Sequence, residues 1–131
     1  MIYLDANVII RLLEGDLVAR TPLETRILPH RGTGRFLFTS RLSRLECRVR
    51  PLRTNDTNLL ILYEAFFACA EVRLLELSAD VVEKATELRA TLNVKTPDSL
   101  HLATAILAGA TAFLTGDRGL IRCTEIPIEV F

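Results

Sequence analysis

Short apolar runs recur along this chain, and between them lie stretches whose apolar residues follow a helical period. Ile2-Tyr3-Leu4 reads as a buried strand running straight into a helix over 7–14. A second helix is expected around 17–30, with Pro22 and Pro29 blurring its limits. A loop over 31–34 leads to a second strand, Phe36-Leu37-Phe38-Thr39. Ser40 suits the N-cap of a helix over 41–50, and Pro51 to Asn55 reads as a break. Residues 57–70 form a very apolar helix, and Val72 to Leu77 a third strand. Ser78 is placed to cap a helix over 79–92, with Leu77 and Val82 as its hydrophobic staple. Thr96-Pro97 opens a helix over 97–109, since Pro suits the first helical position, and Gly109 closes it. Ala112 to Thr115 is a fourth strand. Ile126 to Val130 is a fifth, assigned to an edge because Pro127 lacks an N–H. Strands that alternate with helices demand a parallel sheet covered on both faces.

With 131 residues the chain is expected to form one domain over residues 1–131. Half of its residues are apolar, too many for a disordered chain. Its longest apolar stretch, residues 59–70, contains Glu64 and falls short of the roughly 20 residues that span a bilayer. Asp5 and Asn7 interrupt the N-terminal apolar run, so no signal peptide is indicated and a cytoplasmic location is expected. Three widely spaced cysteines (Cys47, Cys69 and Cys123) do not form a disulfide framework. With only His30 and His101 beside them, they do not suggest structural zinc either.

The formal net charge is zero, yet it is unevenly spread. Residues 1–53 hold ten Arg against five acidic residues, and residues 54–131 hold six basic against eleven acidic ones. The first part therefore offers basic surface and the second acidic surface. Basic charge is carried mostly by Arg, the better bidentate partner for phosphate and carboxylate.

In a parallel α/β sheet ligands sit beyond the carboxyl ends of the strands. Asp5 directly follows the first strand, and Asp117 follows the fourth in Thr115-Gly116-Asp117. Both point into one crevice if the two strands are neighbours. Glu46 falls on the same helical arc as Leu42, Leu45 and Val49, hence on a protein-facing side, with Arg41, Arg44 and Arg48 opposite. Asp98 lies in the first turn of its helix, on the face of Leu102 and Ala105. Four carboxylates in one crevice repel strongly unless they are protonated or a cation sits among them. Hard oxygen donors favour Mg²⁺ or Mn²⁺. A divalent ion so held activates water and neutralises a phosphoryl transition state, which suits phosphodiester cleavage.

Taken together, Asp5-Ala6-Asn7, Glu46, Asp98 in Pro-Asp-Ser-Leu-His-Leu-Ala-Thr-Ala and the Thr-Gly-Asp at 115–117 resemble a PIN domain. Chain length and the N-terminal strand resemble the VapC-like toxins of bacterial and archaeal toxin–antitoxin pairs. The resemblance spans the whole chain. It implies a PIN-like three-layer α/β sandwich with a five-stranded parallel sheet flanked by helices. It also implies an Mg²⁺- or Mn²⁺-dependent endoribonuclease, a homodimer, and a cognate antitoxin that occludes the site. By position, Asp5, Glu46, Asp98 and Asp117 match the family's acidic quartet. Asn7 matches a polar residue that hydrogen-bonds the first aspartate, and Thr115 a supporting hydroxyl. His101 and the Arg-rich helix around Glu46 depart from the pattern, leaving metal number and RNA preference open.

Each feature also has a plainer reading. Asp5 or Asn7 can cap the following helix, Asp98 can sit at a helix start for its dipole, and Asp117 can serve a turn. His101 reads as a packed, hydrogen-bonded helix residue, with contact to the site as the alternative. Arg41, Arg44 and Arg48 form either a solvated stripe or an RNA phosphate contact. The helix over 57–70 is either core or a dimer face. Two other functions fit an aspartate after the first strand. One is a non-catalytic module that binds RNA or protein. The other is a phosphatase of the haloacid-dehalogenase type with Asp5 as nucleophile, where Asn7 stands in place of the second Asp.

Overall fold

Five short strands carry the apolar runs in a computed structural model of the protein, which describes residues 1–32 and 34–131. They are β1 (Ile2–Leu4), β2 (Leu37–Ser40), β3 (Val72–Leu75), β4 (Ala112–Thr115) and β5 (Ile128–Val130). The sheet order is β3-β2-β1-β4-β5, and every neighbouring pair is parallel. Six α-helices connect the strands: α1 (Ala6–Glu14), α2 (Leu17–Ile27), α3 (Arg41–Arg53), α4 (Thr57–Phe67), α5 (Ala79–Leu92) and α6 (Thr96–Leu107). A 3-10 turn, Leu28–His30, extends α2, and another, Arg118–Arg122, follows β4.

Strand alternation sorts the core into two layers. Ile2 and Leu4 of β1 pack with Val8, Ile9, Leu23, Tyr63 and Leu114 on one side of the sheet. Tyr3 packs with Val81, Leu88, Leu102 and Phe113 on the other. The result is the helix–sheet–helix sandwich expected from the sequence.

Local signals act as read. Ser40 accepts from the Leu42 N–H and Ser78 from the Val81 N–H, capping α3 and α5. Gly109, with φ of 72°, ends α6, and the Ala110 N–H returns to the Ala105 carbonyl in a six-to-one closure. The loop expected over 31–34 includes Thr33, which lies outside the described residues.

Three expectations are corrected. The break expected at Pro51 does not occur there. Pro51 is buried inside α3, which runs on to Arg53 and stops where Asn55 takes a positive φ. A proline near a helix end loses one hydrogen bond without forcing a stop, and packing of its ring offsets that loss. The third and fifth strands are shorter than expected, and Pro127 stands just before β5, where its carbonyl accepts from the Phe113 N–H.

The buried face of α3 is also not the Leu42–Leu45–Val49 arc. Leu45 and Val49 are exposed and line one groove with Arg41, Arg44 and Arg48. Ser43, Cys47 and Pro51 face inward instead. Small side chains let α3 approach closely: Ser43 Oγ meets Thr39 Oγ1 at 2.7 Å, and Cys47 Sγ lies 3.9 Å from the Ala6 carbonyl. Close packing against α1 thus outweighs the pull of the larger apolar residues. The apolar α4 serves two surfaces, with Tyr63 and Phe67 buried and Ile61 and Leu62 exposed.

Phe113 is fully buried and stacked on Tyr3, with centroids 5.1 Å apart. Phe113→Ala is expected to cost about 3–5 kcal/mol in urea unfolding. Val82→Ala, at an exposed position, is expected to change stability by less than about 0.5 kcal/mol.

Candidate active site

The strand register decides what meets at the carboxyl edge of the sheet. Leu4 lies beside Leu114, so the next residues, Asp5 and Thr115, lie level, and the Asp5 N–H donates to the Leu114 carbonyl at 3.0 Å. Asp5 continues the side-chain alternation of Tyr3, toward the layer of α5 and α6. It is 3 % exposed, a carboxylate buried where the chain leaves β1 for α1.

Donors surround it. Oδ1 of Asp5 accepts from the Ala6 N–H at 2.8 Å. Oδ2 accepts from the Thr115 hydroxyl at 2.7 Å and from the Asn7 amide at 3.1 Å. The other end of the Asn7 amide accepts from the Gly116 N–H at 2.8 Å, tying α1 to the turn after β4. Thr115 Oγ1 also accepts from the Asp117 N–H at 3.1 Å. Asp5 therefore caps α1, as its plainer reading expects.

Glu46 reaches the same place from α3. Its Oε2 lies 2.9 Å from His101 Nε2, and that nitrogen lies 3.8 Å from Asp5 Oδ1. One ligand atom each from Asp5, Glu46 and His101 falls within 4.8 Å of the others. Asp98, at the start of α6, is half-buried, and Asp117 is exposed at the rim, where it caps the 3-10 turn through the Gly119 N–H.

Electrostatics shows that these groups sense one another. Burial raises the pKa of Asp5, and His101, Thr115 and the Ala6 N–H partly offset that rise. The Asp98 pKa is also raised, first by burial and then by the charges of Asp5 and Asp117. Among the described residues, no Arg or Lys forms an ion pair with any of the four carboxylates. The arginines are engaged elsewhere: Arg41 pairs with Glu76 at 2.8 Å, and Arg44 and Arg48 reach Glu64 at 2.7 and 3.3 Å. They lie on the outer groove of α3.

In the structure His101 joins both readings, the packed helix residue and the contact with the site. It is 1 % exposed, and its ring also lines the carboxylate cluster. Tyr3, whose hydroxyl meets the other ring nitrogen, belongs to no motif in the sequence. The signal available was spacing: Tyr3 is two residues before Asp5 on a strand, and His101 is three after Asp98 on a helix, so each shares a side with its neighbour.

A PIN domain family model matches residues 2–125, and the chain belongs to that family. Its fold is similar to several solved toxin–antitoxin proteins. A DNA-bound VapBC from Salmonella typhimurium matches with a TM-score of 0.80 and 19% identity, covering 98% of this chain and 96% of that one. VapBC2 from Rickettsia felis, bound to a promoter DNA fragment, matches at 0.79 and 16%, covering 99% and 98%. VapC20 from Mycobacterium tuberculosis, a toxin that cleaves the sarcin-ricin loop, matches at 0.72 and 19%, covering 97% and 99%. No curated protein sequence matches the chain.

A carboxyl group with a raised folded pKa stabilises the fold when protonated. That contribution is complete below the unfolded value of about 3.9 and is lost as pH rises through the folded value. Asp98 gains from the α6 dipole, but burial and the neighbouring charges outweigh this. Asp98→Asn is thus expected to raise the melting temperature of the metal-free protein at pH 7 by a few degrees. The gain should vanish near pH 3, as read by circular dichroism across pH.

Proposed function

We propose that this chain, as one domain over residues 1–131, is a divalent-metal-dependent endoribonuclease of the VapC kind. It would be the toxin of a toxin–antitoxin pair and act in the cytoplasm. One observation carries the proposal: carboxylates gather at the carboxyl edge of the sheet, and among the described residues no Arg or Lys pairs with them. A donor set dominated by hard oxygens, with uncompensated negative charge, suits Mg²⁺ or Mn²⁺. Asp5, Glu46, Asp98 and Asp117 would hold the ion, directly or through water. When bound, a divalent cation lowers the pKa of water and neutralises charge at a phosphoryl group.

The protein's own contribution is placement. Thr115, Asn7 and the Ala6 N–H fix both oxygens of Asp5 before any ligand arrives. A group already held in place loses little freedom on binding. Exposure rises from buried Asp5 through half-buried Asp98 to exposed Asp117, and a phosphodiester would approach from the Asp117 side. With water as nucleophile, the products carry a 3′-hydroxyl and a 5′-phosphate. Arg41, Arg44 and Arg48 would contact the RNA backbone. Their pairs with Glu64 and Glu76 lie on the surface and are weak, so exchange for phosphate costs little. Binding would then weaken with salt.

The solved toxin–antitoxin complexes of the same fold support an antitoxin partner. Exposed Leu45, Val49, Leu52, Ile61 and Leu62 on α3 and α4 support a protein-covered face, in an antitoxin complex or a homodimer.

Incubation of RNA with wild type and Asp98→Asn, with and without Mn²⁺, tests the proposal. Wild type is expected to cleave only with metal and to leave 5′-phosphate ends. Asp98→Asn and Asp5→Asn should lose at least about a hundredfold in rate while staying folded. Undiminished cleavage by these variants, or by wild type in excess EDTA, refutes the mechanism.

A further inference from the structure

His101 and Tyr3 are buried polar groups that the proposed chemistry does not use. Tyr3 is 0% and His101 1% exposed. The Tyr3 hydroxyl lies 2.8 Å from His101 Nδ1, and His101 Nε2 lies 2.9 Å from Glu46 Oε2. Ser40 Oγ approaches the same Nδ1 at 3.4 Å. The three side chains form one line, from β1 through α6 to α3.

Hydrogen bonding gives the line a direction. Glu46, as a carboxylate, can only accept, so Nε2 must carry a hydrogen to bond it. In a neutral ring Nδ1 is then an acceptor, and the Tyr3 hydroxyl is the donor it meets. Burial pushes the Tyr3 phenol far above its ordinary pKa, so that donor keeps its proton. Packing holds the ring as well. Tyr3 meets His101 edge-on at 6.0 Å and is itself stacked on Phe113.

We infer that His101, backed by Tyr3, is a positioning residue: its Nε2–H fixes the carboxylate of Glu46 beside Asp5, and His101 is not itself a metal ligand. Ligation through Nε2 would require that nitrogen to give up its hydrogen. The Tyr3 bond would then have to reverse, with the phenol turning to the hydroxyls of Ser40 or Thr39 beside it. Glu46 needs such help more than Asp5 does. Asp5 has donors from its own helix and from β4, whereas Glu46 has a flexible side chain with His101 as its one hydrogen-bond partner among the described residues. The inference rests on the reading of the carboxylates as a cation site, but its first test does not.

That test is nitrogen-15 NMR of the metal-free protein at neutral pH. The expected spectrum has a slowly exchanging hydrogen on His101 Nε2, none on Nδ1, and a shift of the Nε2–H signal in Glu46→Gln. A hydrogen on Nδ1 with a bare Nε2 overturns the inference. The second test is calorimetric titration with Mg²⁺. His101→Leu should weaken binding about tenfold or more, while His101→Gln, which keeps a donor, should stay within about threefold of wild type. Tyr3→Phe should fall between, and it carries the comparison with His101→Gln if the Leu variant does not fold. Unchanged affinity in folded His101→Leu overturns the inference, as does loss of the Nε2 hydrogen when Mg²⁺ is added. If wild type binds neither Mg²⁺ nor Mn²⁺, the metal reading falls, and the positioning role is decided by the spectra alone.

Discussion

A carboxylate sits nearly out of water at the end of the central strand, and much of the neighbouring structure is arranged around that fact. Burying an unpaired charge costs several kcal/mol, so Asp5 persists only because donors meet it. They come from different places in the chain: the first N–H of α1, the side chain of Asn7, and the hydroxyl of Thr115 on β4. Parallel pairing of β1 with β4 is what brings the last of these alongside. Even so, the pKa of Asp5 stays raised, so the donors do not fully offset burial. The remaining imbalance is what a cation would relieve.

The other carboxylates depend on how closely the helices approach. Glu46 arrives because Ser43 and Cys47 are small enough for α3 to lie against α1. Larger residues at these places would push α3 outward and carry Glu46 with it. Asp98 arrives on the first turn of α6, whose inner face packs through Leu102 and Ala105 into the core below the sheet. The site is therefore built on rigid elements, with only the exposed Asp117 on a turn. Basic charge is kept apart, on the outer groove of α3, paired with Glu64 and Glu76. Glu46 and the arginine-lined groove thus lie on different faces of one helix.

Much was legible in the chain because its signals are local. Alternating strands and helices, the caps at Ser40 and Ser78, and the stop at Gly109 follow from propensities and hydrogen bonds within a few residues. The placement of Asp5 and Asp117 past strand ends was equally readable. The face of α3 was not. Its largest apolar residues suggested one side, and the close approach of α1 selected another. Helix continuation through Pro51 has the same origin, since burial of the ring is a tertiary effect.

From sequence alone came the α/β class, the parallel sheet and the place of Asp5 and Asp117 past strand ends, because periodicity and strand-end position depend on the chain's own order. Only the folded molecule decided that β1 lies between β2 and β4, that Ser43 and Cys47 turn Glu46 inward, and that Tyr3 and His101 meet across 98 residues to hold it. Those are contacts between distant segments. Packing density and the need to satisfy buried polar groups choose them, and no local pattern records either.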